Sequence, residues 1–150
     1  MTTSRITKVP SSNAELRVRE LKAQLERHPF DVNLRLTYAS ALEESGRGAE
    51  AVKFLQDTVE KARRNLGVAY CTLGTTLMKV GKPEDALRSF DTAMEVDPGN
   101  SAFYLSNKAA ALNKIGLHDK AKALYHDLLS RPDLAKTTRR IVVDNLRDIK

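Results

Sequence analysis

Apolar residues recur along this chain at helical spacing, and the segments they define are separated by glycine or proline. Between residues 14 and 28, for example, Val18, Leu21 and Leu25 share one helix face, and Pro29 follows them. Residues 1–12 lack this periodicity, which predicts a flexible arm. The remaining pattern predicts an all-α chain with helices over residues 13–28, 31–45, 48–64, 67–80, 83–96, 101–115, 118–130 and 134–149.

The apolar pattern also repeats with a period of 35 residues. Gly81 suits the left-handed backbone that ends a helix, and Pro83 suits the first turn of the next helix. Five columns of residues keep one register: Gly46, Gly81 and Gly116; Leu42, Leu77 and Leu112; Ala39, Gly74 and Ala109; Ala51, Ala86 and Ala121; and Leu55, Phe90 and Tyr125.

The unit at residues 67–100 resembles a tetratricopeptide repeat. The residues that carry the resemblance are Tyr70, Leu73, Gly74, Leu77, Ala86, Phe90 and Pro98. The units at 32–66 and 102–135 are similar to it but looser. The resemblance implies one repeat domain over residues 13–150, an α-solenoid in which antiparallel helix pairs form a right-handed superhelix. Three repeats would be flanked by a helix at 13–28 and capped by a helix at 134–149.

The net charge of +6 lies at the two ends of the chain. Residues 1–30 carry six Lys and Arg against three Asp and Glu, residues 134–150 carry five against two, and the span between is neutral. A nucleic-acid-binding repeat protein is expected to be basic along its length, so this distribution argues against that function. No apolar run reaches the roughly 18 residues of a membrane span.

The N-terminal residues lack the apolar segment of a secretory signal, which argues against export. The single cysteine, Cys71, excludes an intrachain disulfide and favours a reducing, cytoplasmic location. The histidines His28, His118 and His126 have no metal-ligand spacing with carboxylates or the thiol. Because phosphate-binding loops and nucleophile motifs are also missing from the sequence, we expect a non-enzymatic protein without cofactor or metal.

The resemblance to tetratricopeptide repeats implies a concave groove that holds a peptide or a helix of another protein. The first helix of each repeat would line it with small, polar and lightly basic side chains, and Met78 would be an adaptable apolar contact. The groove positions are Leu36, Ser40 and Glu43 in the first unit, Cys71, Thr75, Met78 and Lys79 in the second, and Ser106, Ala110, Asn113 and Lys114 in the third.

The third unit is also similar to repeats that clamp the C-terminal carboxylate of heat-shock chaperones. Asn107 matches the asparagine of that motif, and Lys136 and Arg140 form a basic pair four residues apart on one helix face. The preceding repeat departs from the clamp, since Cys71 and Thr75 occupy the slots of a lysine and an asparagine. Asn107 as a surface residue and Cys71 as a packing residue are therefore the simpler interpretations.

Two other functions stay open at this point. A short array could stack end to end as a homo-oligomer, in which case a terminal helix should expose an apolar face. The run from Ile141 to Ile149 is apolar enough to permit this. Nucleic-acid binding through the basic ends would instead depend steeply on salt.

Overall fold

The structure, a computed structural model, describes residues 12–149. This range contains helices and turns but no strand, which confirms the predicted all-α fold. The predicted arm at residues 1–12 lies outside the described residues, except for Ser12, where the first helix begins. The described residues form seven α-helices: α1 (Ser12–Arg27), α2 (Val32–Glu44), α3 (Gly48–Lys79), α4 (Pro83–Val96), α5 (Ser101–Lys114), α6 (His118–Ser130) and α7 (Lys136–Arg147).

Three helices end at the glycines of the repeat. Gly46, Gly81 and Gly116 have φ angles of 81°, 77° and 83°, a region that costs other residues roughly 1–2 kcal/mol. The predicted role of Gly81 is therefore confirmed, and Pro83 begins α4 as expected. Each glycine is followed by an amide that donates to the carbonyl five residues earlier, at 2.8–2.9 Å: Arg47 to Leu42, Lys82 to Leu77 and Leu117 to Leu112.

The middle of the chain differs from the prediction. Two helices were expected at 48–64 and 67–80, but one helix, α3, runs from Gly48 to Lys79. The physical reason is local: the segment 62–67 contains no proline, and its glycine, Gly67, has no positive φ. The alanine and two arginines before it favour the helix. The turn that the repeat period predicts within residues 62–67 is therefore absent, and the helix continues through this segment.

The chain divides into two compact units, with the boundary after Ala62 inside α3. The N-terminal unit contains α1, α2 and the first part of α3. Its core joins the predicted α1 face of Val18, Leu21 and Leu25 to Tyr38 and Leu42 of α2. The edge-to-face contact of Tyr38 with Phe54 of α3, at 4.9 Å between ring centroids, extends this core.

A buried arginine completes the N-terminal unit. The guanidinium of Arg35 lies 4.5 Å from the centroid of the Phe54 ring. It donates to the Thr58 hydroxyl at 3.0 Å, to the Asp57 carboxylate at 2.8 Å and to the Pro29 carbonyl at 3.2 Å. Because the charge and the hydrogen-bond donors of Arg35 all have partners within the N-terminal unit, we assign this residue a structural role there.

The C-terminal unit begins at Arg63 and is built from the remainder of α3 together with α4 to α7. Its core follows the repeat columns, so that Ala86, Phe90 and Ala93 of α4 meet Tyr104 of α5. The same pattern recurs 35 residues later, where Ala121, Tyr125 and Leu128 of α6 pack with Val142 of α7. Small and large residues of the repeat columns therefore pack together in the core of this unit.

Glycines allow α3 to approach its neighbours closely in this unit. A Cβ on Gly74 would lie 2.8 Å from the Phe90 ring, and a Cβ on Gly67 would lie 2.6 Å from the Tyr104 hydroxyl. Both distances are shorter than a carbon contact permits. None of the helices in residues 12–149 is long and apolar enough to cross a membrane.

Candidate protein-interaction surface

The predicted groove residues of the N-terminal unit lie together on α2. Leu36, Ser40 and Glu43 are all exposed, as the resemblance to tetratricopeptide repeats implies. The Ser40 hydroxyl donates to the Leu36 carbonyl at 3.2 Å, so its hydrogen bond is satisfied within the helix. This face of α2 is therefore open to a partner.

Only part of the predicted α3 set reaches the surface. Cys71 is 6% exposed and packs with Phe90 and Tyr104, which supports its interpretation as a packing residue. Burial raises the pKa of its thiol, which keeps it protonated and poorly reactive. Thr75 is exposed but donates to the Cys71 carbonyl at 3.0 Å. Met78 is half-buried against the same core, and Lys79 is exposed.

The predicted α5 set divides in the same way. Ser106 is 5% exposed, so this residue, like Cys71, lies beneath the surface that a partner could reach. Ala110 and Lys114 are exposed. Asn113 is half-buried, and its amide oxygen lies 2.7 Å from Nδ1 of His118. The accessible face of α5 therefore has a small side chain at Ala110 and polar side chains around it.

The clamp-like residues are not preorganised for a carboxylate. The Asn107 amide donates to the Phe103 carbonyl within α5, at 2.9 Å. Lys136 and Arg140 of α7 are exposed and form no ion pair with another residue of the described range. Arg139, between them, is engaged with the backbone: it donates to the Leu129 carbonyl at 3.1 Å and the Arg131 carbonyl at 3.0 Å. Two exposed cations and a half-exposed amide therefore mark this face.

Sequence reasoning missed Phe103, which the structure exposes near the start of α5. Its side chain is 47% exposed and lines a cavity of about 350 Å³ between the start of α5 and the start of α7. Ser101, Arg131, Asp133 and Thr138 contribute polar groups to the same cavity. Phe103 lies seven residues before Ala110, on one helix face, so an aromatic residue at that position was the available signal.

Buried hydrogen bonds hold the start of α5 beneath this surface. The Tyr104 hydroxyl donates to the Asp97 carboxylate at 2.6 Å, and the Asn100 amide donates to the same oxygen at 2.8 Å. Asp97 and Tyr104 are both fully buried. The Tyr104 ring also meets the Phe103 ring edge to face, with centroids 5.5 Å apart. The exposed Phe103 is thus presented by a helix end that is anchored in the core.

We expect Tyr104 to make the stability of the C-terminal unit sensitive to alkali. Burial raises the pKa of Tyr104 well above its ordinary value, and the hydrogen bond to Asp97 adds to this effect. Burial also raises the pKa of Tyr125. An unfolded tyrosine ionises near pH 10 while the folded one stays protonated, so stability is complete below about pH 10 and falls as the pH rises further.

We therefore expect the urea concentration at the unfolding midpoint of the C-terminal unit to be lower at about pH 11 than at about pH 8. Tyrosine fluorescence measures it, since three of the four tyrosines, Tyr70, Tyr104 and Tyr125, belong to this unit. In the Tyr104→Phe variant, the decrease of this midpoint between the two pH values should be smaller than in wild type. An identical pH dependence in wild type and Tyr104→Phe would contradict the assignment of this effect to Tyr104.

The described residues contain no group of three or more His, Cys, Asp and Glu side chains that could hold a metal ion. The chain matches no family model, and a search of curated proteins found no match.

Proposed function

We propose that this chain is a non-enzymatic protein-interaction module of the tetratricopeptide type, and that its C-terminal unit binds a peptide or helix of another protein across α5 and α7. The observation that carries the proposal is the exposed Phe103 beside the 350 Å³ cavity. That volume is at the low end of ligand pockets, so it suits one or two anchoring side chains. The repeat columns of the sequence support the same assignment, and with it a solenoid arrangement of the repeats.

The chemistry of the surface suggests what the bound segment contains. Phe103 and the cavity suit an apolar anchor residue, because apolar side chains gain most from burial against an aromatic ring. The small side chain of Ala110 lets a bound backbone approach α5. Lys114, Lys136 and Arg140 are exposed cations, which favour acidic residues beside the anchor. The proposed ligand is therefore an acidic peptide with one large apolar side chain.

A peptide library biased towards such sequences tests this proposal. Selected peptides should bind the wild-type protein, and Phe103→Ala should weaken them by about tenfold or more, the loss expected for truncating an interface anchor. Fluorescence polarisation with a labelled peptide gives the dissociation constants. Phe30→Ala is the matched control, since Phe30 is also exposed but lies in the N-terminal unit.

Equal affinity for wild type and Phe103→Ala would show that the cavity is not the binding site. A second variant, Arg140→Glu, addresses the charge. It should weaken acidic peptides and leave neutral peptides with the same anchor unchanged. An effect of the same size on both peptides would contradict the charge assignment.

A further inference from the structure

The middle helix, α3, exposes large apolar residues in both units. Val52 and Val59 belong to the N-terminal unit, and Leu66 and Leu73 belong to the C-terminal unit. Within each unit the two residues are seven positions apart, the spacing that places both side chains on one face of a helix that packs against another helix. Each is between 46% and 57% exposed, which is high for Val and Leu in an ordered helix.

The 35-residue repeat shows what these positions do elsewhere in the chain. Val52 and Val59 correspond to Leu87 and Met94 of α4. Both are partly buried against the core clusters of the C-terminal unit, in which α4 packs on α5. The next copy of Val59 is Leu129 of α6, which is also partly buried, where α6 packs on α7. Positions that are covered in later repeats are therefore uncovered in α3.

The part of α3 in the C-terminal unit also exposes a position that is covered in a later repeat. Leu73 corresponds to Lys108 of α5, which is half-buried and pairs with Asp91 of α4, with Nζ at 2.6 Å from a carboxylate oxygen. The residue 35 positions before Asp91 is Gln56. The contact between α4 and α5 thus predicts that a helix carrying Gln56 packs on a helix carrying Leu73. The repeat would make this contact through a turn at 65–66, but α3 continues through that point.

We propose that a second copy of this chain covers the exposed face of α3. Residues 48–62 of one copy would pack antiparallel on residues 66–79 of the other, in the register that α4 and α5 use, and the reverse contact would form by symmetry. One chain carries both halves of the contact, so the pairing is self-complementary and closes as a dimer. In this contact, Leu73 and Gln56 occupy the positions of the ion pair that joins α5 to α4. The contact therefore buries no charged side chain.

Among residues 12–149, the terminal helices α1 and α7 offer no comparable surface. Val18, Leu21 and Leu25 of α1 are buried in their own unit, as are Val142 and Ile149 near the C-terminus. Exposed large apolar residues are single there, Leu16 in α1 and Ile141 in α7. End-to-end stacking, which required an apolar face on a terminal helix, therefore has less support than pairing through α3.

Sedimentation equilibrium over a range of concentrations tests the oligomeric state. Wild type should approach twice the 16.7 kDa mass of one chain, and Leu73→Glu should shift to the mass of one chain. Ile141→Glu is the control, because Ile141 is 48% exposed in α7 and Leu73 is 46% exposed in α3. A wild type that stays monomeric at high micromolar concentration overturns the proposal, as does a Leu73→Glu variant that remains dimeric.

A cross-linking experiment tests the register without depending on the folding of the glutamate variant. Cysteines are placed at both Gln56 and Leu73 in a Cys71→Ser background, and a short bismaleimide is added. A product of two chains on a denaturing gel supports the proposal. An intrachain link overturns it, because the chain would then break α3 and fold the two segments together. The absence of any link also overturns it.

This proposal is independent of peptide binding. Its failure would appear in the mass and in the cross-linked products, whereas failure of the proposed function would appear in the affinity of Phe103→Ala. Leu73→Glu should therefore lose the dimer and keep the peptide affinity of the C-terminal unit.

Discussion

Gly67→Val is expected to destabilise the C-terminal unit by about 3 kcal/mol, the upper end of the cost of overpacking a core. A Cβ at this position would lie 2.6 Å from the Tyr104 hydroxyl and 2.7 Å from Cβ of Asp97. Tyr104 and Asp97 are fully buried and hydrogen-bonded to each other, so neither can move aside without breaking that bond. Urea unfolding followed by tyrosine fluorescence gives the free energy of unfolding.

Gly48→Val is the matched control, because Gly48 lies on the same helix with no atom within 4 Å of the position its Cβ would take. It should change stability by less than about 0.5 kcal/mol, as surface substitutions usually do. Gly67→Ala should fall between the two, since the higher helix propensity of alanine, worth up to about 1 kcal/mol, offsets part of the clash. If Gly67→Val were as stable as Gly48→Val, the close approach of α3 to Tyr104 would be wrong.

Asp97→Ala is the second substitution with a large expected effect, a loss of about 3 kcal/mol. It removes the acceptor of two hydrogen bonds and leaves the Tyr104 hydroxyl buried without its partner. Hydrogen bonds to a charged group are worth about 1.5–3 kcal/mol, and an unsatisfied buried donor costs about 1–3 kcal/mol. The same urea experiment measures the loss in the C-terminal unit.

A double-mutant cycle separates the hydrogen bond from the other effects of the substitution. Tyr104→Phe should cost about 1.5 kcal/mol, because it removes one hydrogen bond from Asp97. Asp97→Ala combined with Tyr104→Phe should cost about 1 kcal/mol less than the sum of the two, since the phenylalanine leaves no unpaired hydroxyl. Additive losses would show that Asp97 and Tyr104 are not coupled. Asn100→Ala, which should weaken only the second bond to Asp97, is a milder comparison.

Local sequence signals predicted the fold well where they were strong. The left-handed glycine Gly81, the first-turn proline Pro83 and the buried face of Val18, Leu21 and Leu25 all appear in the structure as expected. Each depends on backbone geometry or on the 3.6-residue period, which act within a few residues. The one wrong helix boundary came from extending the repeat period through 62–67, where no local signal ends a helix.

The surface was harder to predict than the fold. Thr75, Ala110 and Arg140 are exposed as expected, but Cys71 and Ser106 are buried, and Phe103 was missed. Sequence spacing assigns a residue to one side of a helix. How much of that side a neighbouring helix covers depends on crossing geometry and on the sizes of side chains far away in sequence. Residues near the edge of a helix face, such as Ser106, are therefore the ones that spacing alone misassigns.

For this protein, the sequence by itself determined the helical class, the 35-residue register and the glycine helix ends. These features follow from short-range backbone preferences and from the need to bury apolar side chains. Tertiary structure alone decided that α3 is continuous, that Cys71 belongs to the core, and that Phe103 stands exposed beside a cavity. Each of these depends on which helices meet, and that is a property of packing between distant segments.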